Sequence, residues 1–185
     1  MKAILAVIST SVIISCNNSE TNGHPAPFSG DIKEKVVDIE NANLGRSRTL
    51  TLEDAGKILG EPAHSGNTST TTGNVIMHHF EYLANVKDEK SGKTGALYFL
   101  LEEYQDTVAA HKRYDFIKKA NEKNAGVETL KELGDEAYYH SDGQNFYFVM
   151  VRKGNNVFNM KVNKITSHTS LEQFKHIYMQ ITEAL

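Results

Sequence analysis

The sequence predicts an α+β domain over residues 49–185, with an antiparallel sheet of about five strands and helices packed on one face of the sheet. Stretches in which apolar and polar side chains alternate indicate strands, and capped stretches with apolar side chains at helical spacing indicate helices. These elements follow one another as helix, two strands, helix, three strands, helix. No proline occurs in residues 63–185, which suits a domain built from regular elements.

Each of the three predicted helices begins at a capping residue. Thr51-Leu52-Glu53-Asp54 starts the first helix with a hydroxyl N-cap and acids in the first turn, and Gly60 ends it. Asp106-Thr107 opens the second helix, which runs to about Lys123. The pattern Thr169-Ser170-Leu171-Glu172 is a capping box that opens the third. The predicted buried residues of the second and third helices are Ala109, Ala110, Tyr114, Phe116, Ile117 and Ala120, and Leu171, Phe174, Ile177, Tyr178, Ile181 and Leu185.

Five stretches are predicted to form strands. The second of them is apolar on both faces and is therefore expected at the centre of the sheet. In the last strand Asn159, Lys161 and Asn163 alternate with apolar residues, so the sheet face that carries them is expected to be partly wet. The hydroxyl-rich segment 64–73 is predicted to be a polar loop. The predicted strands are 75–84, 95–104, 138–140, 145–152 and 157–165.

The first sixteen residues have the features of an export signal. Lys2 precedes an uncharged, largely apolar run from Ala3 to Ile14, which is too short to cross a bilayer as a stable helix. The run is followed by Ser15 and by Cys16, the single cysteine of the chain. A free thiol is an oxidation liability in an exported protein, and covalent modification of Cys16 would remove it.

The segment Ile13-Ile14-Ser15-Cys16 resembles the lipobox of bacterial lipoproteins. The resemblance implies cleavage before Cys16, attachment of a diacylglycerol to its sulfur, and in many bacteria acylation of the new amino terminus. Each buried methylene contributes about 0.8 kcal/mol, so two or three acyl chains bind a membrane firmly. The predicted organisation is a signal peptide over residues 1–15, a lipidated cysteine with a flexible tether over residues 16–48, and the domain over residues 49–185.

Composition limits the class of partner. The net charge of -3 and the pI near 6.2 give no long-range attraction for polyanions, so no nucleic acid is expected as a partner. The eight histidines do not form a recognisable zinc-binding spacing. His78 and His79 are adjacent on a predicted strand and therefore point to opposite faces, where they cannot bind one ion together. The sequence therefore predicts no metal site and no cofactor.

The densest polar cluster beside aromatic residues contains Asp135, Glu136, His140 and Asp142. A histidine with nearby carboxylates could carry out acid–base catalysis, but Asp135 follows a glycine and Asp142 lies in a hairpin turn, which explains both acids structurally. The favoured interpretation therefore has no catalytic residue. His140, Asp135 and Asp142 are the candidates of the alternative interpretation.

Tyrosines offer a second kind of site. A tyrosine can bury its ring while its hydroxyl remains in water, so tyrosines on a sheet face or in a groove can contact a ligand or a partner. Packing within the sheet is the competing explanation. The candidate ligand-binding residues are Tyr82, Tyr98, Tyr138, Tyr139 and Tyr147.

Short motifs in the domain resemble a group of envelope domains. Leu52-Glu53-Asp54-Ala55 with Ile58-Leu59-Gly60-Glu61-Pro62, and later Leu133-Gly134-Asp135-Glu136-Ala137, are similar to the leucine-glycine-x-proline and leucine-glycine-aspartate-x-alanine signatures of small lipid-anchored α+β sensor-like domains, including those of actinobacterial lipoproteins and receptor kinases. The resemblance covers about residues 50–185. It implies ligand sensing or envelope assembly, without catalytic residues common to the group.

The sequence therefore favours a lipid-anchored cell-envelope protein that acts as a binding or accessory module and is not an enzyme. Its expected partners are a membrane, through the lipid on Cys16, and an envelope protein or a small ligand. An asparagine follows Cys16, which favours the outer membrane of a Gram-negative bacterium. The alternative function is a small envelope hydrolase that uses the region from Asp135 to Asp142.

Overall fold

Seven strands form one antiparallel sheet in the computed structural model, which describes residues 49–185. The predicted signal peptide, Cys16 and the predicted tether therefore lie outside the described residues. The elements are α1 (Leu52–Leu59), β1 (Ala63–Thr71), β2 (Val75–Ala84), β3 (Ala96–Tyr104), α2 (Thr107–Asn121), β4 (Val127–Leu130), β5 (Glu136–Ser141), β6 (Phe146–Lys153), β7 (Asn156–Asn163) and α3 (Leu171–Ala184).

The sheet consists of two meanders that share a central pair of strands. Its order is β1-β2-β3-β7-β6-β5-β4, so consecutive strands are neighbours except where β3 pairs with β7. That pair is antiparallel and places Phe99 opposite Met160. After β3 the chain crosses the sheet through α2 to the far edge, and β4 to β7 then return it to the centre. This path lays α2 over β6 and β7.

The larger core lies between the sheet and the helix pair α1 and α3. Ile58 and Leu59 of α1 and Phe174 and Ile177 of α3 are buried against alternate strand residues. The rings of Phe99 and Phe158 lie with centroids 5.7 Å apart, among the strand residues of this core. The predicted buried positions Phe174, Ile177, Tyr178 and Ile181 of α3 are thus confirmed as core positions, whereas Leu171 and Leu185 pack against the core only partly buried. The strand residues buried here are Phe80, Tyr82, Ala84, Leu97, Phe99, Leu101, Ala137, Val149, Val151, Phe158, Met160 and Val162.

The second core lies on the opposite face, beneath α2. Ala110 and Tyr114 of α2 are buried against Tyr138, Met150 and Val157. The prediction that all helices pack on one face is therefore wrong. The sequence could not decide this point because β5 and β6 carry apolar side chains at successive positions, so either face could receive a helix. We call the side that carries α2 the α2 face.

The sheet has seven strands instead of the predicted five or so, because two short or polar segments also pair. β1 occupies most of the predicted polar loop 64–73 and forms one edge of the sheet. Its threonines favour extended backbone, but they do not alternate with apolar residues and so give no strand pattern. β4 has four residues, Val127–Leu130, and forms the other edge against β5. Both edge strands therefore form because a neighbouring strand pairs with them, β2 with β1 and β5 with β4.

The helices begin at or beside their predicted caps, but some of their details differ from the prediction. Asp106 caps α2 by accepting a hydrogen bond from the Ala109 backbone at 2.7 Å, as predicted. Phe116 and Ala120 are predicted to be buried, but both are exposed, Phe116 at 69%, because only one narrow side of α2 meets the sheet. In α3 the N-cap is Ser170, whose hydroxyl accepts from the Gln173 backbone, one residue later than the predicted capping box.

The end of α1 is held tightly against the loop that precedes α3. Gly60 is the C-cap of α1 with a φ of 74°, and a Cβ at this position would overlap the backbone carbonyl of His168. The Ser170 backbone N–H also donates to the Ile58 carbonyl at 2.8 Å. This contact requires glycine for two separate reasons, the left-handed backbone and the close approach.

Substitution of Gly60 by alanine should therefore destabilise the domain more than the same change at Gly143. Gly143 has a nearly identical φ of 75°, but nothing lies near the position of its Cβ. Gly143→Ala isolates the conformational cost, about 1 to 2 kcal/mol, whereas Gly60→Ala adds the steric overlap. Urea unfolding should show at least twice the loss of unfolding free energy for Gly60→Ala. Equal losses would contradict the close contact between Gly60 and the His168 backbone.

Candidate functional site

A groove of about 330 Å³ opens on the α2 face beside the C-terminal half of α2. We call it the α2 groove. Its size is at the lower end of the range that small-molecule sites occupy. It lies on the sheet strands that α2 leaves uncovered, so its floor is sheet and one wall is helix. The residues that line it are Ile117, Asn121, His140, Phe146, Phe148, Asn159 and Lys161.

Strand register brings the groove residues together from three strands. His140 of β5 pairs with Phe148 of β6, and Phe148 pairs with Lys161 of β7. Residues directly opposite each other share one face of the sheet, so these three side chains form a row across it. Asn159 and Phe146 lie two positions away along their strands and therefore project from the same face. The chain positions differ by about twenty residues, and only the sheet joins them.

The α2 groove is positively charged without a compensating acid. None of its seven lining residues is acidic. The Lys161 ammonium lies 5.6 Å from the centre of the Phe146 ring, and within residues 49–185 it makes no ion pair. The ring of His140 meets the same phenyl ring edge to face, with centroids 4.8 Å apart. The ring attracts the cation but does not neutralise it, so the ammonium can still pair with an anionic ligand.

Tyr138 packs against Phe148, a residue that lines the α2 groove. Its ring lies 5.7 Å from that of Phe148, and its side chain is fully buried. Burial raises the pKa of Tyr138 to about 12, although nearby Asn121 opposes this shift. The hydroxyl is therefore neutral at physiological pH, and among residues 49–185 no hydrogen bond to it is formed. An unpaired buried hydroxyl costs stability, so this position is energetically unusual.

A larger depression, of about 590 Å³, lies between α1 and α3. It contains none of the site residues predicted from sequence. Asp54, Lys57 and Gln180 in its wall are already engaged in other interactions. Its lining has no aromatic side chain apart from the imidazole of His176. The α2 groove is the better candidate because aromatic rings and an unpaired cation converge there.

The five candidate tyrosines do not form one aromatic surface. Tyr82, Tyr139 and Tyr147 lie on the face that carries α1 and α3, whereas Tyr98 and Tyr138 lie on the α2 face. Tyr82 is a core residue whose hydroxyl donates to the Leu50 carbonyl at 2.9 Å. Tyr147 packs against Phe174. Tyr98 of β3 is half-buried, and it lies directly opposite Lys161 of β7 on the α2 face.

The polar candidates Asp135, His140 and Asp142 are not joined to one another. Within the described residues no hydrogen bond or ion pair links the His140 ring to either acid. Asp135 accepts from the Arg152 guanidinium and from the Gly154 backbone, both at 2.8 Å. Asp142 closes the β5–β6 turn by accepting from three successive backbone N–H groups and the Asn145 amide. His140 alone of the three lines the α2 groove.

A second charged cluster lies at the other end of α2. The Glu136 carboxylate accepts from Arg152 Nε at 2.5 Å and from His111 Nδ1 at 2.8 Å. Burial raises the pKa of Glu136, but these two hydrogen bonds outweigh it and hold the pKa below its usual range. Asp115 lies one helical turn after His111, with Oδ2 at 3.8 Å from His111 Nε2. Sequence analysis did not select this cluster, although the i, i+4 spacing of His111 and Asp115 was visible.

No protein-family model, curated protein or solved structure matches this chain. Among residues 49–185, the helices are all too short or too polar to cross a membrane. The function must therefore be inferred from the residues of this chain and their geometry.

The structural role of Asp142 gives a pH-dependent prediction. Burial opposes ionisation, but the backbone donors of the turn and the Asn145 amide together outweigh it and hold the pKa of Asp142 well below its usual range. A carboxylate with a depressed pKa stabilises the fold at pH values above the ordinary pKa, near 3.9, and this contribution is lost as the pH falls. Asp142→Asn should therefore lower the unfolding free energy at pH 7 and lower it less at pH 2.5, where part of the contribution is already lost, measured by urea denaturation.

The matched control is Asp106→Asn. Asp106 also caps backbone donors, but it has a single short acceptor contact and asparagine is an equally good N-cap. Its effect should be small at both pH values. A pH-independent loss in Asp142→Asn would show that the turn does not depend on the carboxylate charge.

Proposed function

We propose that this chain is a lipid-anchored cell-envelope protein whose domain binds a small ligand in the α2 groove. The proposal is supported by the position of Lys161, which makes no ion pair within residues 49–185 and lies over the Phe146 ring. The His140 ring contacts the same phenyl ring, and the residues that line this concavity include no acid. The proposed role is that of a binding or accessory module. Attachment to the outer membrane of a Gram-negative bacterium is part of the proposal and rests on the sequence of residues 1–17.

The chemistry of the groove favours an anion that carries a flat apolar body. Lys161 supplies a positive charge, and Asn121 and Asn159 supply amide groups that can donate hydrogen bonds. Phe146 and Phe148 supply apolar area against which a ring or an aliphatic chain can pack. A ligand carboxylate or phosphate would pair with a cation that makes no ion pair within residues 49–185. The protein carries a net charge of -3, so this attraction is local to the groove.

Membrane attachment through Cys16 gives the first functional prediction. Cys16→Ala removes the sulfur that would carry the diacylglycerol, so the protein should move from the detergent phase to the aqueous phase in a Triton X-114 partition of cells that express it. The control is Ser15→Ala, which keeps a small residue before the cysteine and should remain in the detergent phase. Detergent partition of Cys16→Ala would contradict lipid anchoring.

Ligand binding in the α2 groove gives the second functional prediction. Benzoate and phenyl phosphate combine an anion with a ring, and titration of the 15N-labelled protein with either should shift NMR signals of groove residues. Lys161→Met should weaken this binding at least about tenfold, equivalent to about 1.4 kcal/mol. The neutral isostere benzamide should bind more weakly than benzoate to the unmodified protein, because it lacks the charge that Lys161 contacts.

Lys175 provides a matched control. Its ammonium lies 5.9 Å from the centre of the Tyr139 ring, a cation–π geometry close to that of Lys161, but on the opposite face and outside the groove. Lys175→Met should leave the affinity unchanged. Equal loss in both variants, or shifts confined to other surfaces, would contradict the groove as the binding site.

A further inference from the structure

His111, Asp115 and Glu136 bring one imidazole and two carboxylates together outside the α2 groove. His111 and Asp115 lie one turn apart on α2, and Glu136 begins β5 beneath them. One potential ligand atom from each residue lies within 4.8 Å of the others. The cluster differs from a group of surface acids because it includes an imidazole. The two carboxylates also have different positions around that imidazole, one at each ring nitrogen.

Glu136 is placed to orient the imidazole. Its Oε2 atom accepts the hydrogen bond from His111 Nδ1 at 2.8 Å, and Arg152 holds the same oxygen from the other side. The Arg152 side chain is only 13% exposed and also contacts Asp135, so this support is rigid. Metal-binding histidines commonly donate their second ring nitrogen to a carboxylate in this way. Because a carboxylate can only accept, Nδ1 donates in this bond, and Nε2 is the ring nitrogen left to bind a metal ion.

The lone pair of His111 faces a second ligand. Nε2 lies 3.8 Å from Asp115 Oδ2. An ion about 2.1 Å from each atom can bridge two ligands separated by up to about 4.2 Å, so the observed separation accommodates one ion. Both side chains are substantially exposed, at 49% for His111 and 38% for Asp115. Small rotations can therefore adjust the angle, and water can fill the remaining coordination positions.

The charges around this position also favour a cation. Asp115, Asp135 and Glu136 are acids, whereas Arg152 and Lys119 are the basic partners that contact them. Lys119 lies 3.6 Å from Asp115, but its side chain is 72% exposed, and exposed pairs of this kind contribute little energy. A divalent ion can therefore displace Lys119 from Asp115 at small cost, while Arg152, which is largely shielded from solvent, remains bound to Glu136.

We propose that His111 Nε2 and Asp115 Oδ2 bind a divalent transition-metal ion such as Zn²⁺, with Glu136 as the orienting carboxylate. An imidazole ligand favours Zn²⁺, Ni²⁺ or Cu²⁺ over Mg²⁺ and Ca²⁺, which prefer oxygen ligands. Two protein ligands on a half-exposed helix give a reversible site, suited to regulation or metal sensing and not required for folding. The site is separate from the α2 groove and does not rest on the function proposed for it.

The test uses ZnCl₂ and the full-length protein in detergent micelles. Isothermal titration calorimetry should show one binding event, and a long-range 1H–15N spectrum of the imidazoles should show that Zn²⁺ shifts the His111 Nε2 signal. His111→Ala should abolish the event, and Asp115→Ala should weaken it at least tenfold. Glu136→Gln should weaken it about tenfold, the lower end of the effect of losing an orienting partner. MgCl₂ should give no event.

His176→Ala is the matched control. His176 is also an exposed helical histidine with an acid, Glu172, one turn away, but within residues 49–185 no carboxylate is hydrogen-bonded to its ring. This variant should bind Zn²⁺ as the unmodified protein does. Circular dichroism melting checks that each variant is folded, which is expected because Glu136 keeps its Arg152 partner when His111 is removed. Unchanged affinity in His111→Ala or Asp115→Ala, or absence of Zn²⁺ binding to the unmodified protein, would overturn the proposal.

Discussion

The antiparallel pairing of β3 with β7 is the interaction on which the rest of the domain depends. It joins two meanders that are otherwise separate, and it is the only non-consecutive pairing in the described sheet. Phe99 and Phe158 sit in these two strands and meet in the centre of the larger core. Their separation along the chain makes this a long-range contact, whose loop-closure entropy must be offset by the apolar area that it buries.

The route of the chain between β3 and β7 explains where the polar chemistry lies. Because β4 starts at the far edge, α2 must cross the sheet before the chain can return. The crossing covers β6 and β7 near Tyr114 and leaves the strands beyond Asn121 open. Both polar clusters of the α2 face follow from this crossing. The α2 groove lies at the C-terminal half of the helix, and the His111 cluster lies at its N-terminal half, where Glu136 reaches it from β5.

The two clusters illustrate opposite electrostatic arrangements on one face of the sheet. In the groove, Lys161 has an aromatic neighbour and no carboxylate within the described chain. At the other end, Glu136 is held by two donors and its pKa is lowered. The hydrogen bonds from Arg152 and His111 to Glu136 explain that cluster structurally without a ligand. Among the described residues, no comparable pairing explains the position of Lys161 in the α2 groove. For this reason the groove carries the functional proposal, and the metal site is an additional property of the fold.

The sequence by itself determined the three helices, the caps of α1 and α2 and most of the strands, because local periodicity and capping chemistry are properties of neighbouring residues. It also identified His140 as a polar residue beside aromatics, and the export signal over residues 1–16 remains a prediction from sequence. Only the tertiary structure decided which face receives α2, why Phe116 is exposed, and that β1 is a strand. The physical reason is that strand register and helix placement depend on pairing partners distant in the chain, such as Lys161 and His140, which no local pattern connects.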